Sequence, residues 1–216
     1  MKVGVLGATG RTGQLVIAEA LKRGHSVTAI ARNPDKLKQK HDNLSVVKAS
    51  IFSAEELTEA FRDHDAVVSA LGFSRSPPVT GYTESMKAAV AAMRASSVKR
   101  LVLLTAFYTD VTAAQGLGFF LNLFVKFLKH LLTNMREMEQ YLESDAGDLD
   151  WTVVRPGGLN SRAARDQALV QREAAMAISG AGVASYIPRA NVARFMVEQL
   201  EDDRYVRKAV AIAVNS

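Results

Sequence analysis

Gly7, Gly10 and Gly13 recur at three-residue spacing in MKVGVLGATGRTG, between an apolar run, Val3–Leu6, and an amphipathic stretch, Gln14–Arg23. Strand, tight turn and helix in that order aim the free backbone N–H groups of a helix N-terminus at an anion, and a diphosphate fits such a turn. Each glycine has its own reason. Gly7 permits the sharp turn, Gly10 lets the backbone approach phosphate, and Gly13 lets helix and strand pack closely. The spacing alone is a weak signal; its place between a strand and a helix makes it point to a dinucleotide.

The second chemical position is Arg32, in AIARNPDKL, just past the next apolar run, Ser26–Ala31. A dinucleotide's adenosine ribose arrives there, and an acidic side chain at that point selects NAD by accepting from both ribose hydroxyls. Here a guanidinium takes its place, with Lys36 four residues on. That pair suits a 2′-phosphate, so NADP(H) is favoured over NAD(H). Asp35 does not restore the NAD preference, because it falls in the first turn of a short helix.

Proton chemistry is sparse. A tyrosine with a lysine four residues on could move a proton, since the nearby cation lowers the tyrosine pKa. Four residues after Tyr82, Tyr108, Tyr141, Tyr186 and Tyr205 stand Met86, Thr112, Asp145, Ala190 and Ala209, so no such pair exists. Hydride transfer to a conjugated, planar acceptor demands less, mainly the alignment of two flat rings. Thr105 offers a hydroxyl for that task, and Phe73, Phe107 and Tyr108 offer walls. His25, His41, His64 and His130 are scattered singly, and the chain has no cysteine, so no metal site is expected.

These residues need a scaffold. Strand-like and helix-like segments alternate over the first 155 residues, which signals a mostly parallel sheet with helices on both faces, an α/β doubly wound, three-layer domain. Strands are expected at Val3–Leu6, Ser26–Ala31, Leu44–Lys48, Ala66–Ala70, Arg100–Thr105 and Thr152–Arg155. Helices are expected at Gln14–Arg23, from Ser53 to Phe61, from about Thr83 to Ala95 and from about Arg189 to Leu200. Ser53 with Glu56 reads as a capping box. Gly116–Leu142 reads as one long helix packed on the sheet, with a lid, a dimer face or an interfacial membrane contact through 116–132 as alternatives. Ala174–Ser179 and Ala184–Ile187 are read as paired short strands across Gly180 and Gly182, and Ala209–Val214 as a last strand.

Composition is that of an ordinary globular domain, 48% hydrophobic and 23% charged, with a formal net charge of +5. The basic residues form no tract interleaved with aromatics, so nucleic acid is not an expected partner. The stretch Phe119–Leu132 is too charged and too short to span a bilayer. The first apolar run is too short for a secretory signal, and the expectation is a cytoplasmic protein.

GATGRTG, ARNPDKL, SALG after the fourth strand, LLTAF at the fifth and VVRPGGL at the sixth occur in this order. In them the chain resembles the atypical short-chain dehydrogenase/reductase superfamily. Within it, the chain looks most like the NAD(P)H-binding group of flavin reductase/biliverdin-IXβ reductase and bacterial NADH-flavin reductases. The resemblance runs through essentially the whole length and implies one Rossmann domain, 1–216, with 156–216 supplying part of the substrate side. Carried over residue by residue, it puts Gly7, Thr9, Gly10, Arg11, Thr12 and Gly13 on the pyrophosphate, and Arg32 and Lys36 on the 2′-phosphate. Leu71 and Gly72 line the adenosine and ribose side. Thr105, Ala106, Phe107, Pro156 and Gly157 lie beside the nicotinamide ribose or ring.

Two departures bear on function. Relatives often carry Gly-Asp after the third strand; Ala49-Ser50 stands here, leaving Ser50 as a weaker adenine partner and Ile51 for packing. The biliverdin reductases carry a histidine after the sixth strand's proline, where this chain has Gly158. The resemblance thus implies an NADPH-dependent reductase of a flavin, quinone or similar planar acceptor. A non-catalytic NADP(H) sensor, similar to the nitrogen-metabolite-repression regulators, is the alternative, and a nucleotide-sugar epimerase or isomerase comes third.

Overall fold

Four of the five leading strands bury nearly every residue, because helices cover the sheet on both sides. The computed structural model describes residues 1–114, 118–178 and 186–214. Strands β1 (Lys2–Leu6), β2 (Ser26–Ala31), β3 (Leu44–Lys48), β4 (Ala66–Ser69), β5 (Arg100–Leu104) and β6 (Asp150–Pro156) pair in parallel, in the order β3-β2-β1-β4-β5-β6. β10 (Lys208–Val214) extends this sheet in parallel beside β6, and β8 (Leu169–Glu173) closes it antiparallel to β10. Only the edge strand β3 is largely exposed. Strand order reverses between β2 and β4 on either side of β1, and in open α/β sheets the ligand crevice opens at such a point. This is a Rossmann-type fold.

Helix α1 (Arg11–Lys22) buries Val16, Ile17, Ala20 and Leu21 along one stripe, at helical spacing. It ends where Gly24, at φ +80°, turns the chain in the left-handed region and donates its N–H to Leu21 O. Against it packs α6 (Arg189–Glu198) through Val192, Phe195 and Met196. The opposite face is covered by α2 (Ala54–Ala60), α3 (Gly81–Ala95) and α5 (Lys129–Asp145), with Leu57, Met86, Met93, Met138 and Leu142 fully buried. Each such side chain contributes about 1.5–3 kcal/mol of burial.

Three expectations are corrected. The 116–142 segment is two helices, α4 (Phe119–Phe127) and α5, separated at Leu128. Its first piece turns outward. Val125 is buried, whereas Leu123, Phe124 and Phe127 on the far side are exposed, and Arg75 lies over the Phe127 ring. Gly116 lies outside the described residues.

The stretch Ala174–Ile178 is not a strand. The antiparallel edge is formed instead by Leu169–Glu173, which hydrogen-bonds to β10, while Tyr186–Pro188 (β9) pairs in parallel with Gly158–Asn160 (β7). Short runs without alternation are decided by such long-range partners. The residues 179–185 lie outside the described residues. The Ser53 capping box is half made. Ser53 Oγ accepts from the Glu56 N–H, but the Glu56 carboxylate turns to the Ser50 N–H at 2.8 Å.

Candidate active site

The cleft opens at the C-terminal ends of β1, β4 and β5, and holds about 370 Å³. One end is the glycine turn. Gly7 adopts φ +77°, a conformation that costs other residues strain. A Cβ on Gly13 would overlap Gly7 O and stand 2.8 Å from Gly7 C, so α1 approaches β1 this closely only through glycine. Gly10 N–H closes the turn on Gly7 O at 2.9 Å, and the first turn of α1 carries no acidic side chain. Its free N–H groups and dipole therefore face the cleft uncompensated.

Two guanidiniums complete this end. Arg11 lies in the first turn of α1 and Arg189 at the start of α6, and both line the cleft. Arg189 donates to Ser161 Oγ at 3.2 Å. Its pKa is lowered, first by burial and then by the positive charge of Arg11. Two like charges held together without an acid between them favour a bound anion. A glycine cradle with two arginines fits a dinucleotide's diphosphate.

The other end is lined by Leu104, Thr105, Met135, Leu159 and Tyr82. Thr105 is held by a buried hub. The Glu139 carboxylate accepts from Thr105 Oγ1 and Thr109 Oγ1, both at 2.9 Å, and takes two bonds from Arg155, Nε at 3.0 Å and Nη2 at 2.7 Å. Arg136 adds a longer contact at 3.4 Å. Glu139 and Arg155 are almost fully enclosed, at 1% and 2% side-chain exposure. The hub ties α5 to β6 and to the chain leaving β5. It also consumes the one hydrogen that Thr105 has to give, so toward any further partner Thr105 Oγ can only accept.

A family model described as NAD(P)H-binding matches residues 7–203. The chain belongs to that family. The uncharacterised Bacillus subtilis protein YwnB is 26% identical to this NAD(P)H-binding protein over 208 residues, 93% of this chain and 92% of its own length. Among solved structures, the oxidoreductase ylbE of Lactococcus lactis has a TM-score of 0.79 at 18% identity, covering 100% of this chain and 92% of that one. A candidate NADH-flavin reductase of Streptococcus pneumoniae has a TM-score of 0.75 at 21% identity, covering 100% of both chains. These two likenesses are of fold.

In this NAD(P)H-binding protein Gly7, Thr9, Gly10, Arg11, Thr12, Leu71, Gly72 and Thr105 come together around the cleft, with Gly13 beneath the turn. Arg32 and Lys36 stand exposed beyond β2, outside the cleft lining, and no ion-pair partner for either is found among the described residues. Ser50 and Ile51 do not reach the cleft. Ser50 shapes the turn before α2, and Ile51 is buried with Leu57 and Phe61 in the core. The backbones of Phe107 and Tyr108 are pinned to Pro156 O and Met176 O, both at 2.9 Å. Phe107 then packs with Ile178, Ala211 and Ala213, and Tyr108 packs against that cluster. Among the described residues, those that line this cleft do not include Phe107, Tyr108, Ala106, Pro156 or Gly157.

Phe73 supports the wall from behind, edge-on to Tyr82 with ring centroids 4.8 Å apart. Tyr82, Met135, Leu159 and Arg189 escaped the sequence reading, since no local spacing ties them to the glycine turn. The only pointer lay in the expected contribution of 156–216; from that stretch Leu159 and Arg189 line the cleft. Among the described residues no helix is long and apolar enough to cross a membrane, and no group of three or more His, Cys, Asp or Glu could hold a metal.

Proposed function

We propose that the protein is an NADPH-dependent reductase that delivers hydride to a quinone, flavin or similar planar acceptor. The cleft's two unlike ends carry this reading: a cationic glycine cradle at one side, and at the other a mostly apolar slot walled by Leu104, Met135 and Leu159. The reading is supported by the family match and by the Streptococcus pneumoniae relative named for NADH-flavin reduction. A reduced nicotinamide held there supplies the hydride. The protein's own residues bind and align. Gly7, Gly10, Arg11 and Arg189 hold the diphosphate, and the accepting Thr105 Oγ orients a hydroxyl or amide donor of the bound ligand. Arg32 and Lys36, unpaired and exposed past β2, are free to grip a 2′-phosphate.

Loss of NADPH absorbance with menadione, FMN and FAD as acceptors tests the activity, and no turnover with any of them refutes it. Arg32→Ala is expected to weaken NADPH by about tenfold or more, at about 1.5–3 kcal/mol for a charged hydrogen bond, and to leave NADH within about twofold. Equal loss for both refutes the 2′-phosphate reading. The outward apolar side chains of α4 favour a second reading, a non-catalytic NADP(H) sensor that passes occupancy to a partner protein. Tight NADPH binding with no hydride transfer would select it.

A further inference from the structure

Tyr82 is the only phenol lining the cleft, and the hydrogen-bond polarity around it is fixed. Thr105, which lines the same cleft, has given its hydrogen to Glu139. The Tyr82 hydroxyl is in the opposite condition. It accepts from the Phe73 N–H at 3.4 Å, and its own hydrogen reaches no acceptor among the described residues. The side chain is 4% exposed and its ring is held edge-on by Phe73. Its backbone N–H donates at 3.0 Å to Asn134 Oδ1, next to cleft residue Met135, so the start of α3 is locked to the wall of the slot. From this arrangement we infer that Tyr82 is a catalytic residue, the proton donor to a carbonyl oxygen of the acceptor, and that the substrate class is the quinones and related conjugated carbonyls.

The inference rests on the reductase reading and deepens it. A reduced nicotinamide bound in the cleft would supply hydride from its ring C–H bond; with that hydride bonded to one carbonyl oxygen of the quinone, negative charge is left on the other. The Tyr82 O–H bond breaks, its proton bonds to that oxygen, and the product is the hydroquinone. The tyrosinate left behind takes a proton from water. Burial raises the Tyr82 pKa above its ordinary value, which keeps the phenol protonated at neutral pH. Thr105 cannot replace it, and the other side-chain donors lining the cleft, on Thr9, Arg11, Thr12 and Arg189, belong to the cationic end.

The experiment compares two acceptors in the whole protein. Menadione needs a proton as well as hydride; the N-methylphenazinium cation takes hydride alone and becomes neutral. With Tyr82→Phe, which keeps the ring against Phe73, kcat for menadione should fall about 100-fold, while kcat for phenazinium and the affinity for NADPH stay within about twofold. Independently of turnover, calorimetric binding of menadione to the cofactor-free protein should weaken about fivefold, as the loss of one hydrogen bond implies. A parallel fall for both acceptors, or no fall for either, overturns the role of Tyr82 and leaves the reductase standing. A wild-type protein that reduces neither acceptor overturns both.

Discussion

Glu139 and Arg155 offer the sharpest test of the structural argument, because neither charge reaches water. Glu139→Leu leaves the Arg155 guanidinium buried at 2% exposure with its two carboxylate bonds, at 3.0 and 2.7 Å, removed. Ala175 O, at 3.2 Å, remains for Nη1 alone. It also strips Thr105 and Thr109 of their acceptor. Breaking a buried pair from one side costs about 3–5 kcal/mol, since an uncompensated charge is left in a poorly solvated place. For a chain of this size that is a fall in Tm of about 6–20 °C. Arg155→Met should cost a similar amount. The double variant should cost far less than the two together, because it removes both charges, and the coupling energy should reach about 3 kcal/mol. Urea denaturation followed by circular dichroism measures all four proteins. Single variants that each lose under about 1 kcal/mol, or a double variant equal to the sum, would refute the buried hub.

Gly13→Ala should weaken NADPH and NADH alike by about tenfold or more, because the added Cβ forces α1 away from Gly7 O and with it the N–H groups that face the phosphates, each bond to a charged group being worth about 1.5–3 kcal/mol; calorimetric titration of both nucleotides checks it, and unchanged affinity would refute the close helix–strand approach. Stability should also decline in acid. His64 Nε2 meets the Thr28 hydroxyl at 2.8 Å and Nδ1 meets Arg62 O at 2.9 Å, and burial lowers its pKa below 6.5. His25 is lowered likewise, by burial first. The unfolded chain therefore takes up these protons first, so stability present above about pH 6.5 is lost as pH falls below it. Urea midpoints at pH 7.5 and 5.5 measure this, and His64→Gln should reduce the difference; an unaltered difference would acquit His64.

Much of the frame was legible in the residues themselves. β2 and β3 fall where Ser26–Ala31 and Leu44–Lys48 place them, because short runs rich in apolar and β-branched residues, with Gly, Pro or Asn close by, leave little choice of period or end. The glycine turn was equally plain, since Gly7 and Gly13 meet backbone too close for any side chain. For Gly13 that constraint lies within thirteen residues, against Gly7 and Ala8, whereas Gly7 itself meets the backbone of Ala70 and Leu71. The segment 116–142 was harder, for an apolar run does not say which side meets the core. Only the packing of Val125 inward, with the break at Leu128, turned Phe124 and Phe127 to the outside.

The site's polarity was decided at longer range. Glu139 lies on α5, Arg155 on β6, Thr105 past β5 and Tyr82 on α3; nothing in their spacing announces a contact, and only Thr105 stands out in the sequence, by its place at a strand end. Folding buries them together, and the low dielectric then dictates which hydroxyl spends its hydrogen and which keeps it. Local sequence determined the parallel strands β1–β6 and the glycine turn between β1 and α1, because those follow from periodicity and local chain sterics. Which side chains face one another across the crevice, and Arg189 beside Arg11, only the tertiary structure decided, because such pairs are fixed by the packing of helices against a shared sheet.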